Sequence, residues 1–90
     1  MNFEYDPARN VANAEKHGID FEEAQFIWKD GRAVELETIA YGNEQRSLIV
    51  GDIDGKCWMA VVTNRGGSVR IISVRRSRPK ERQAHQRGGV

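Results

Sequence analysis

The sequence WMAVVTNRGGSVRIISVR occupies residues 58–75 and predicts the two strands around which the chain is organised. Trp58–Asn64 is the most continuous apolar run, which is typical of a central, buried strand. Val69–Arg75 is rich in β-branched residues that alternate with polar ones, and Gly66-Gly67 between the two runs is a turn signal. We therefore expect an antiparallel hairpin at the centre of a sheet.

The register of this hairpin decides which side chains share a face of the sheet, and two registers are possible. A two-residue loop pairs Arg65 with Ser68, and Arg75 then faces away from Arg65. A three-residue loop that also contains Ser68 pairs Arg65 with Val69. This second register collects four polar side chains on one face and leaves three apolar ones for the core: Thr63, Arg65, Ser73 and Arg75, and Val62, Ile72 and Val74. We expect the second register, because Arg70 is then the only polar residue on the apolar face.

Two helices are expected before the sheet. Asp6-Pro7 is a helix start, and Gly18 is the expected left-handed residue after its end. Val11 and Ala14 form the narrow apolar side of this first helix. A capping box opens the second helix, which should be the main helix packed on the sheet. The residues that carry this expectation are Asp20 and Glu23 for the capping box, and Phe21, Ala24, Ile27 and Trp28 for the apolar face.

The remaining segments complete an α+β fold. Ala33–Ile39 and Arg46–Ile53 are strand-like, and Asp54-Gly55 is a strong signal for a tight turn. With the central hairpin they make a four-stranded antiparallel meander, to which Phe3–Tyr5 is a candidate edge strand. Pro79 opens a short C-terminal helix, and the chain after it is expected to fray.

Positive charge is concentrated in the last part of the chain. Residues 1–64 contain six Lys or Arg and twelve Asp or Glu, whereas residues 65–90 contain eight Lys or Arg and one acid, Glu81. The charge balance changes from −6 to +7 within a chain of net charge +1. Such asymmetry indicates an anionic partner for the basic part, with a solvated basic tail as the simpler alternative.

Length and composition predict one globular domain over residues 1–90, with 39% apolar and 30% charged residues. No apolar run approaches the ~20 residues of a membrane helix, and the first residues lack a secretory signal. We therefore expect a cytoplasmic protein with no membrane partner. Cys57 is the only cysteine and has no metal-ligand cluster around it in the sequence, so we expect no structural metal and no cofactor.

Short segments across nearly the whole chain share a pattern with one protein family. They are Phe3–Asn10, Asn13, Lys16–Ile19, Phe21–Ala24, Arg46, Ile49, Gly51, Val61–Arg65, Arg70–Arg76 and Glu81-Arg82. In this order and spacing they resemble the BrnT toxins of bacterial type II toxin–antitoxin modules. The family often has a tyrosine after the Glu-Arg pair near the C-terminus, whereas the nearest ring in this chain is His85.

The resemblance implies a RelE-like ribonuclease fold and RNA cleavage that inhibits translation. It also implies neutralisation by a BrnA-like ribbon-helix-helix antitoxin. DNA would be contacted only indirectly, through that antitoxin.

Metal-independent RNA cleavage needs a base, an acid and positive charge around the phosphorane-like state, and the planar fork of arginine suits the last task. We expect catalysis from Arg65, Arg75, Glu81 and His17, and phosphate binding from Lys16, Arg46, Arg70, Arg76 and Lys80. Glu81 is a weak base, an acid that orients arginine, an i,i+4 partner of His85, or a dipole-favourable acid in the first turn of a helix. His17 or His85 could be the acid, since histidine titrates near neutrality.

The alternative is a non-catalytic module whose basic surface docks an acidic protein partner or nucleic acid. Duplex DNA is the less attractive ligand, because no recognition helix with base-reading residues is evident. Single-stranded RNA usually stacks on exposed aromatic rings. Tyr41, Trp58 and Phe26 are candidates, but core packing explains Trp58 and Phe26 better.

Overall fold

The computed structural model describes residues 1–29 and 31–87, and this part of the chain forms a five-stranded sheet with helices on both faces. The strands are β1 (Asn2–Glu4), β2 (Val34–Tyr41), β3 (Glu44–Ile53), β4 (Lys56–Arg65) and β5 (Ser68–Arg76). The helices are α1 (Pro7–His17), α2 (Phe21–Ala24), a 3-10 helix (Gln25–Trp28) and α3 (Pro79–Gln86). Within the described ranges, no helix has the length and apolar character needed to cross a membrane. Fraying is expected for Arg87 to Val90, and of these residues 88–90 lie outside the described residues.

The α+β class is confirmed, but the sheet is mixed and is not a simple antiparallel meander. Strands β2 to β5 pair antiparallel in chain order, and β1 adds to the edge of β5 in the parallel direction. Phe3 thereby lies opposite Val69. The alternation of residues 3–5 indicates a strand but carries no information on its partner or direction, because both are decided by the chain that folds between β1 and β5.

One face of the sheet, which we call the helix face, carries the main core. Trp58, Ala60 and Val62 of β4 alternate onto this face and pack against the segment after α1. The other buried members of the core are Ile71 and Val74 of β5, and Ile19, Phe21, Ala24 and Ile27. Burial of these side chains is the main favourable contribution to folding in a chain of this size.

Helix α1 is held by amide side chains and not by the predicted apolar line, since Val11 is 57% exposed whereas Asn13 is buried. The Asn13 side chain donates to the carbonyl oxygens of Ile19 and Val74, both at 2.9 Å, and its Oδ1 accepts from Val74 N–H at 3.0 Å. β1 pairs with β5 only as far as Arg70. Asn13 therefore satisfies backbone groups of β5 beyond the end of β1.

The second helix is shorter than predicted, because α2 ends at Ala24 and continues as a 3-10 helix. The capping box is confirmed, with Asp20 and Glu23 each accepting from the backbone N–H of the other. Phe21, Ala24 and Ile27 are buried at intervals of three residues, which matches the period of a 3-10 helix as well as an α-helix. The spacing of the apolar residues therefore does not distinguish a 3-10 helix from an α-helix.

The hairpin between β4 and β5 has the two-residue loop, so the expected three-residue loop is wrong. Gly66 and Gly67 have φ angles of 53° and 86°, and a tight turn of this kind requires both to be positive. Arg65 accordingly pairs with Ser68. A β-bulge then shifts the register further along the hairpin, since Val62 pairs with Ile71 but Val61 pairs with Ser73.

Because of the bulge, the polar side chains expected on one face of the sheet do share a face, although the loop is not the expected one. The bulge inserts Ile72 as an extra residue, and one extra residue reverses the facing of everything after it. Ile71 therefore takes the core place expected for Ile72. The face opposite the helix face, which we call the arginine face, collects the side chains of Arg46, Thr63, Arg65, Arg70, Ser73 and Arg75.

Helix α3 confirms the predicted C-terminal helix, with Pro79 in its first turn, and covers one end of the arginine face. It packs against β2 and β3, beside a small apolar cluster of Val50, Cys57 and Met59. The other end of the arginine face, towards Arg65 and Arg70, carries no helix in the described part of the chain.

Candidate active site on the arginine face

The four arginines of this face come from three adjacent strands. Thr63 of β4 pairs with Arg46 of β3 on one side and Arg70 of β5 on the other. Neighbouring strands lie about 4.8 Å apart, so these two arginines start roughly 10 Å from each other. Arg65 follows Thr63 on the same face. These three arginines form one group at the end of the sheet that is free of α3.

Arg75 stands apart from that group. Its partner in β4 is Met59, six positions before Arg65. At about 3.3 Å per residue, Arg65 and Arg75 start roughly 20 Å apart. The structure therefore does not bring these two predicted catalytic arginines together, and they would contact different phosphates of a bound strand.

Glu81 of α3 holds Arg75 through a two-pronged ion pair. Nη1 of Arg75 donates to Oε1 at 3.0 Å and Nη2 donates to Oε2 at 2.8 Å. Nη1 also donates to the carbonyl oxygen of Arg76 at 3.0 Å. The Arg75 and Glu81 side chains are 25% and 14% exposed, so water screens the pair less than it would at a free surface.

Both oxygens of Glu81 are occupied, because Oε1 also accepts from the backbone N–H of Arg78 at 2.7 Å. Partial burial favours the neutral carboxyl, but the hydrogen bonds from Arg75 and Arg78 and the two positive charges outweigh it. The pKa of Glu81 therefore lies below its ordinary value. Glu81 combines two of its expected roles, since it caps the first turn of α3 and orients Arg75.

One edge of the Arg75 guanidinium remains available. The Glu81 carboxylate binds the end of the guanidinium formed by Nη1 and Nη2, and the second hydrogen of Nη1 is donated to the carbonyl oxygen of Arg76. Nε–H and the second hydrogen of Nη2 have no acceptor among the described residues. These two donors form a side-on fork that matches two oxygens of a phosphate.

The other arginines of the face have weaker partners. Nε of Arg46 lies 3.1 Å from Oε2 of Glu44. The Cζ atom of Arg46 lies 4.1 Å from the centroid of the Tyr41 ring. Arg70 pairs with Glu4 at 3.6 Å. Arg65 is exposed and has no charged partner in the described ranges. Exposed pairs of this kind contribute about 0–1 kcal/mol, so a phosphate could replace the carboxylate at little cost.

Tyr41 is the exposed aromatic ring of this face. It is 62% exposed at the end of β2, beside Arg46. Trp58 is buried in the core, as expected. Phe26 is 50% exposed, so the expectation that it packs in the core is wrong. A ring on the arginine face is a platform on which a base can stack.

Two predicted phosphate-binding residues lie off the arginine face or at its margin. Arg76 follows Arg75 directly, so its side chain takes the opposite face and lies over the Trp58 ring at 5.4 Å. Lys80 is exposed in the first turn of α3, one residue before Glu81.

Lys16 and His17 form the last turn of α1, as predicted. Neither side chain makes a hydrogen bond or ion pair with another described residue. Asn13 lies one helical turn earlier and is bonded to Val74, the chain neighbour of Arg75. The end of α1 is thus anchored beside the Arg75 end of β5, although within the described ranges no hydrogen bond joins His17 to the arginines.

A cluster that the sequence interpretation missed lies under α3. Asp52 of β3, Cys57 of β4 and His85 of α3 bring their donor atoms within 4.8 Å of one another. Burial raises the pKa of the Cys57 thiol, and the carboxylate of Asp52 adds to the rise. The sequence contains a signal for two of its three members, because a tight turn at Asp54-Gly55 makes Asp52 and Cys57 cross-strand partners.

Comparison with known proteins assigns the chain to a family. No curated protein matches it significantly. A family model described as the ribonuclease toxin BrnT of type II toxin–antitoxin systems matches residues 5–81. The match spans both helices on the helix face, the four antiparallel strands, and Arg75 with Glu81. The chain therefore belongs to the BrnT family of ribonuclease toxins of type II toxin–antitoxin systems.

Proposed function

We propose that this chain is a metal-independent endoribonuclease that cleaves RNA and thereby inhibits translation. One observation carries the proposal: Arg75 is fixed by Glu81 with a two-donor edge left over, on a face that holds three further arginines. A positioned guanidinium gives electrostatic stabilisation at a phosphate, which is usually the largest contribution to such catalysis.

In the proposed reaction the 2′-hydroxyl oxygen of the RNA attacks the adjacent phosphorus, closes a 2′,3′-cyclic phosphate and gives its proton to a water molecule. The bond from phosphorus to the 5′-oxygen breaks, and that oxygen takes up a proton. Nε–H and Nη2–H of Arg75 bind the two non-bridging oxygens as negative charge builds on them. Glu81 is the positioning residue for Arg75 and not the base, because both of its oxygens already accept hydrogen bonds.

His17 is the proposed proton donor to the 5′-oxygen. The other histidine, His85, is 10% exposed and lies 3.8 Å from Asp52 under α3, away from a bound strand. His17 has no side-chain partner among the described residues and ends a helix anchored beside Val74. Imidazole is the side chain that most often transfers protons in enzyme catalysis.

The remaining basic residues are proposed to hold the RNA strand. Arg65 would stabilise charge at a second phosphate, while Arg46 and Arg70 exchange Glu44 and Glu4 for phosphate oxygens. Tyr41 would stack a base. The proposed outlying phosphate contacts are Lys16, Arg76 and Lys80.

Several wider features belong to the same proposal. The partner would be a BrnA-like ribbon-helix-helix antitoxin, with DNA contacted only through it, and the site of action would be the cytoplasm. We also propose that the fold is RelE-like. Membership of a type II toxin family supports an antitoxin as partner.

The test is to incubate the purified chain with RNA in excess EDTA. We expect cleavage to continue and the upstream fragment to end in a 2′,3′-cyclic phosphate, because the nucleophile is the RNA's own hydroxyl. RNA that is bound but stays intact would favour the non-catalytic binding module. Cleavage that stops in EDTA and returns with Mg²⁺ would contradict metal independence.

A further inference from the structure

Three side chains of different chemistry meet where α3 packs on the sheet. Asp52 and Cys57 are direct cross-strand partners on β3 and β4, and His85 reaches them from α3. Their donor atoms all lie within 4.8 Å of one another, and Nδ1 of His85 is 3.8 Å from Oδ1 of Asp52. Cys57 is 6% exposed and the His85 side chain 10%, whereas Asp52 is 42% exposed and opens the cluster to solvent.

The cluster also borders a cavity. All three side chains line one cavity of about 150 Å³. Donor atoms around a tetrahedral zinc ion lie roughly 3.5 Å apart, given metal–ligand bonds of about 2.0–2.3 Å. Small side-chain rotations would therefore close the cluster around an ion.

The chemistry of the three donor atoms indicates which metal ion they would bind. Thiolate sulphur and imidazole nitrogen favour zinc and its neighbours over Mg²⁺ and Ca²⁺, and a carboxylate completes a mixed set that zinc accepts. We propose that Asp52, Cys57 and His85 bind Zn²⁺, with water as the fourth ligand.

The same three residue types could instead suggest a cysteine nucleophile. That interpretation fails on access, because Cys57 is almost fully buried and has α3 packed over it, so an RNA phosphate cannot reach its sulphur. Arg76 and Arg82 also line the cavity and would repel a cation. The two anionic ligands offset these charges, and metal–thiolate bonding adds to the attraction.

The consequence of the site would be to fix α3 on the sheet. Glu81 and His85 are four residues apart, so they project from the same side of this helix. A metal that holds His85 against β3 and β4 would thus also hold the helix from which Glu81 orients Arg75. The ion lies under α3 and supplies no reacting group, so this proposal does not depend on RNA cleavage.

Thermal unfolding of the full-length chain under reducing conditions tests the site. We expect Zn²⁺ at 100 times its Kd to raise the Tm by on the order of 10 °C, and Mg²⁺ at the same concentration to have no effect. Asp52→Asn and His85→Gln should lose most of the shift. His17→Gln is the matched control, since it removes the other histidine and should keep the full shift.

Cobalt provides a second measurement that does not depend on stability. Co²⁺ bound to the wild-type chain should show thiolate-to-metal charge-transfer absorption and the strong visible bands of a tetrahedral site, and Cys57→Ala should lack both. Absence of a zinc-dependent shift in the wild type would overturn the proposal. A shift of equal size in the His17→Gln and His85→Gln variants would also overturn it, because the ion would then bind elsewhere.

Discussion

Arg75 and Glu81 are the residues whose geometry bears most directly on function. The two carboxylate oxygens of Glu81 accept three hydrogen bonds, and each oxygen has at least one donor. Arg75 keeps two N–H donors for a ligand. An arginine that is already oriented loses less conformational entropy when it binds phosphate. In the proposed reaction, the ion pair would therefore act by pre-organising Arg75 for phosphate binding.

Replacement of Glu81 by glutamine separates a positioning role from a basic one. Glu81→Gln should lower kcat by about 10- to 100-fold, because the ion pair that orients Arg75 is lost. The pH–rate profile should keep its shape, since no group that titrates in the reaction is removed. If the acidic limb of the profile disappeared instead, Glu81 would be the general base.

The stability of the fold should depend on pH through the same carboxylate. The pKa of Glu81 is lowered from its ordinary value of 4.5, so the unfolded chain takes up a proton before the folded one does. Its contribution to stability is present above pH 4.5 and is lost as the pH falls through the folded pKa. Urea unfolding at pH 7 and near pH 3 should show a larger loss for the wild type than for Glu81→Gln. Equal losses would contradict the ion pair's contribution.

The sequence indicates the charged residues of the candidate site but not how far apart they lie. Arg75 and Glu81 were selected because Glu81 is the one acid in a basic segment, and they do form a pair. Arg65 and Arg75 are expected on one face of the sheet and do share it, but six positions of β4 separate Arg65 from Arg75's partner Met59. That separation follows from a hairpin that turns at Gly66-Gly67, whereas charge and residue type carry no information on distance.

Helix α1 shows how an element can be placed by hydrogen bonds when its apolar face is too small. Three hydrogen bonds from Asn13 connect α1 to β5 and to the start of the next segment. Asn10 adds a fourth, accepting from the N–H of Phe21 at 2.7 Å. These two residues are part of the segments that resemble the BrnT family, and the structure gives them a physical role.

Removal of the Asn13 amide should destabilise the fold. Asn13→Ala leaves the N–H and carbonyl of Val74 and the carbonyl of Ile19 without a partner, and a buried unsatisfied group costs about 1–3 kcal/mol. We expect the free energy of unfolding to fall by about 3 kcal/mol. Val11→Ala on the same helix is the control and should change it by less than ~0.5 kcal/mol. Similar effects of the two substitutions would show that α1 is held by its apolar side.

Local signals located the elements, and contacts between distant segments decided how they pair. Asp54-Gly55 and the capping box of α2 are short-range features, and both formed as expected. The bulge at Ile72 is a different case, because it lets Ile71 and Val74 both reach the core while Arg75 faces α3. Nothing local to β5 indicates that one residue must be left unpaired.

At the scale of the molecule, the C-terminal excess of positive charge is distributed over a folded surface and is not a solvated tail. Arg65, Arg70 and Arg75 point to one face from paired strands, and Arg46 joins them from the acidic part of the chain. Three of these four arginines have carboxylate partners. The face is therefore moderately basic, and Arg75 is its most firmly oriented arginine.

The affinity for single-stranded RNA should fall with salt concentration, because the arginines of this face are proposed to contact phosphates. Four arginine–phosphate contacts predict a slope near −3 for log K against log salt concentration, at ~0.7 per contact. Arg70→Ala should reduce the slope by about 0.7, whereas Arg9→Ala, on the outer side of α1, should leave it unchanged. A slope near zero in the wild type would contradict phosphate binding by this face.

The central claim is that catalysis depends on the arginine face and not on basic charge in general. Arg75 and Arg76 are adjacent in the sequence but lie on opposite faces of β5, so they are a matched pair. The most direct measurement is RNA cleavage by Arg75→Ala and Arg76→Ala at equal concentrations of folded protein. We predict that kcat/KM falls about 10²- to 10³-fold for Arg75→Ala and less than about fivefold for Arg76→Ala. Equal losses for the two variants, or full activity of Arg75→Ala, would contradict the claim.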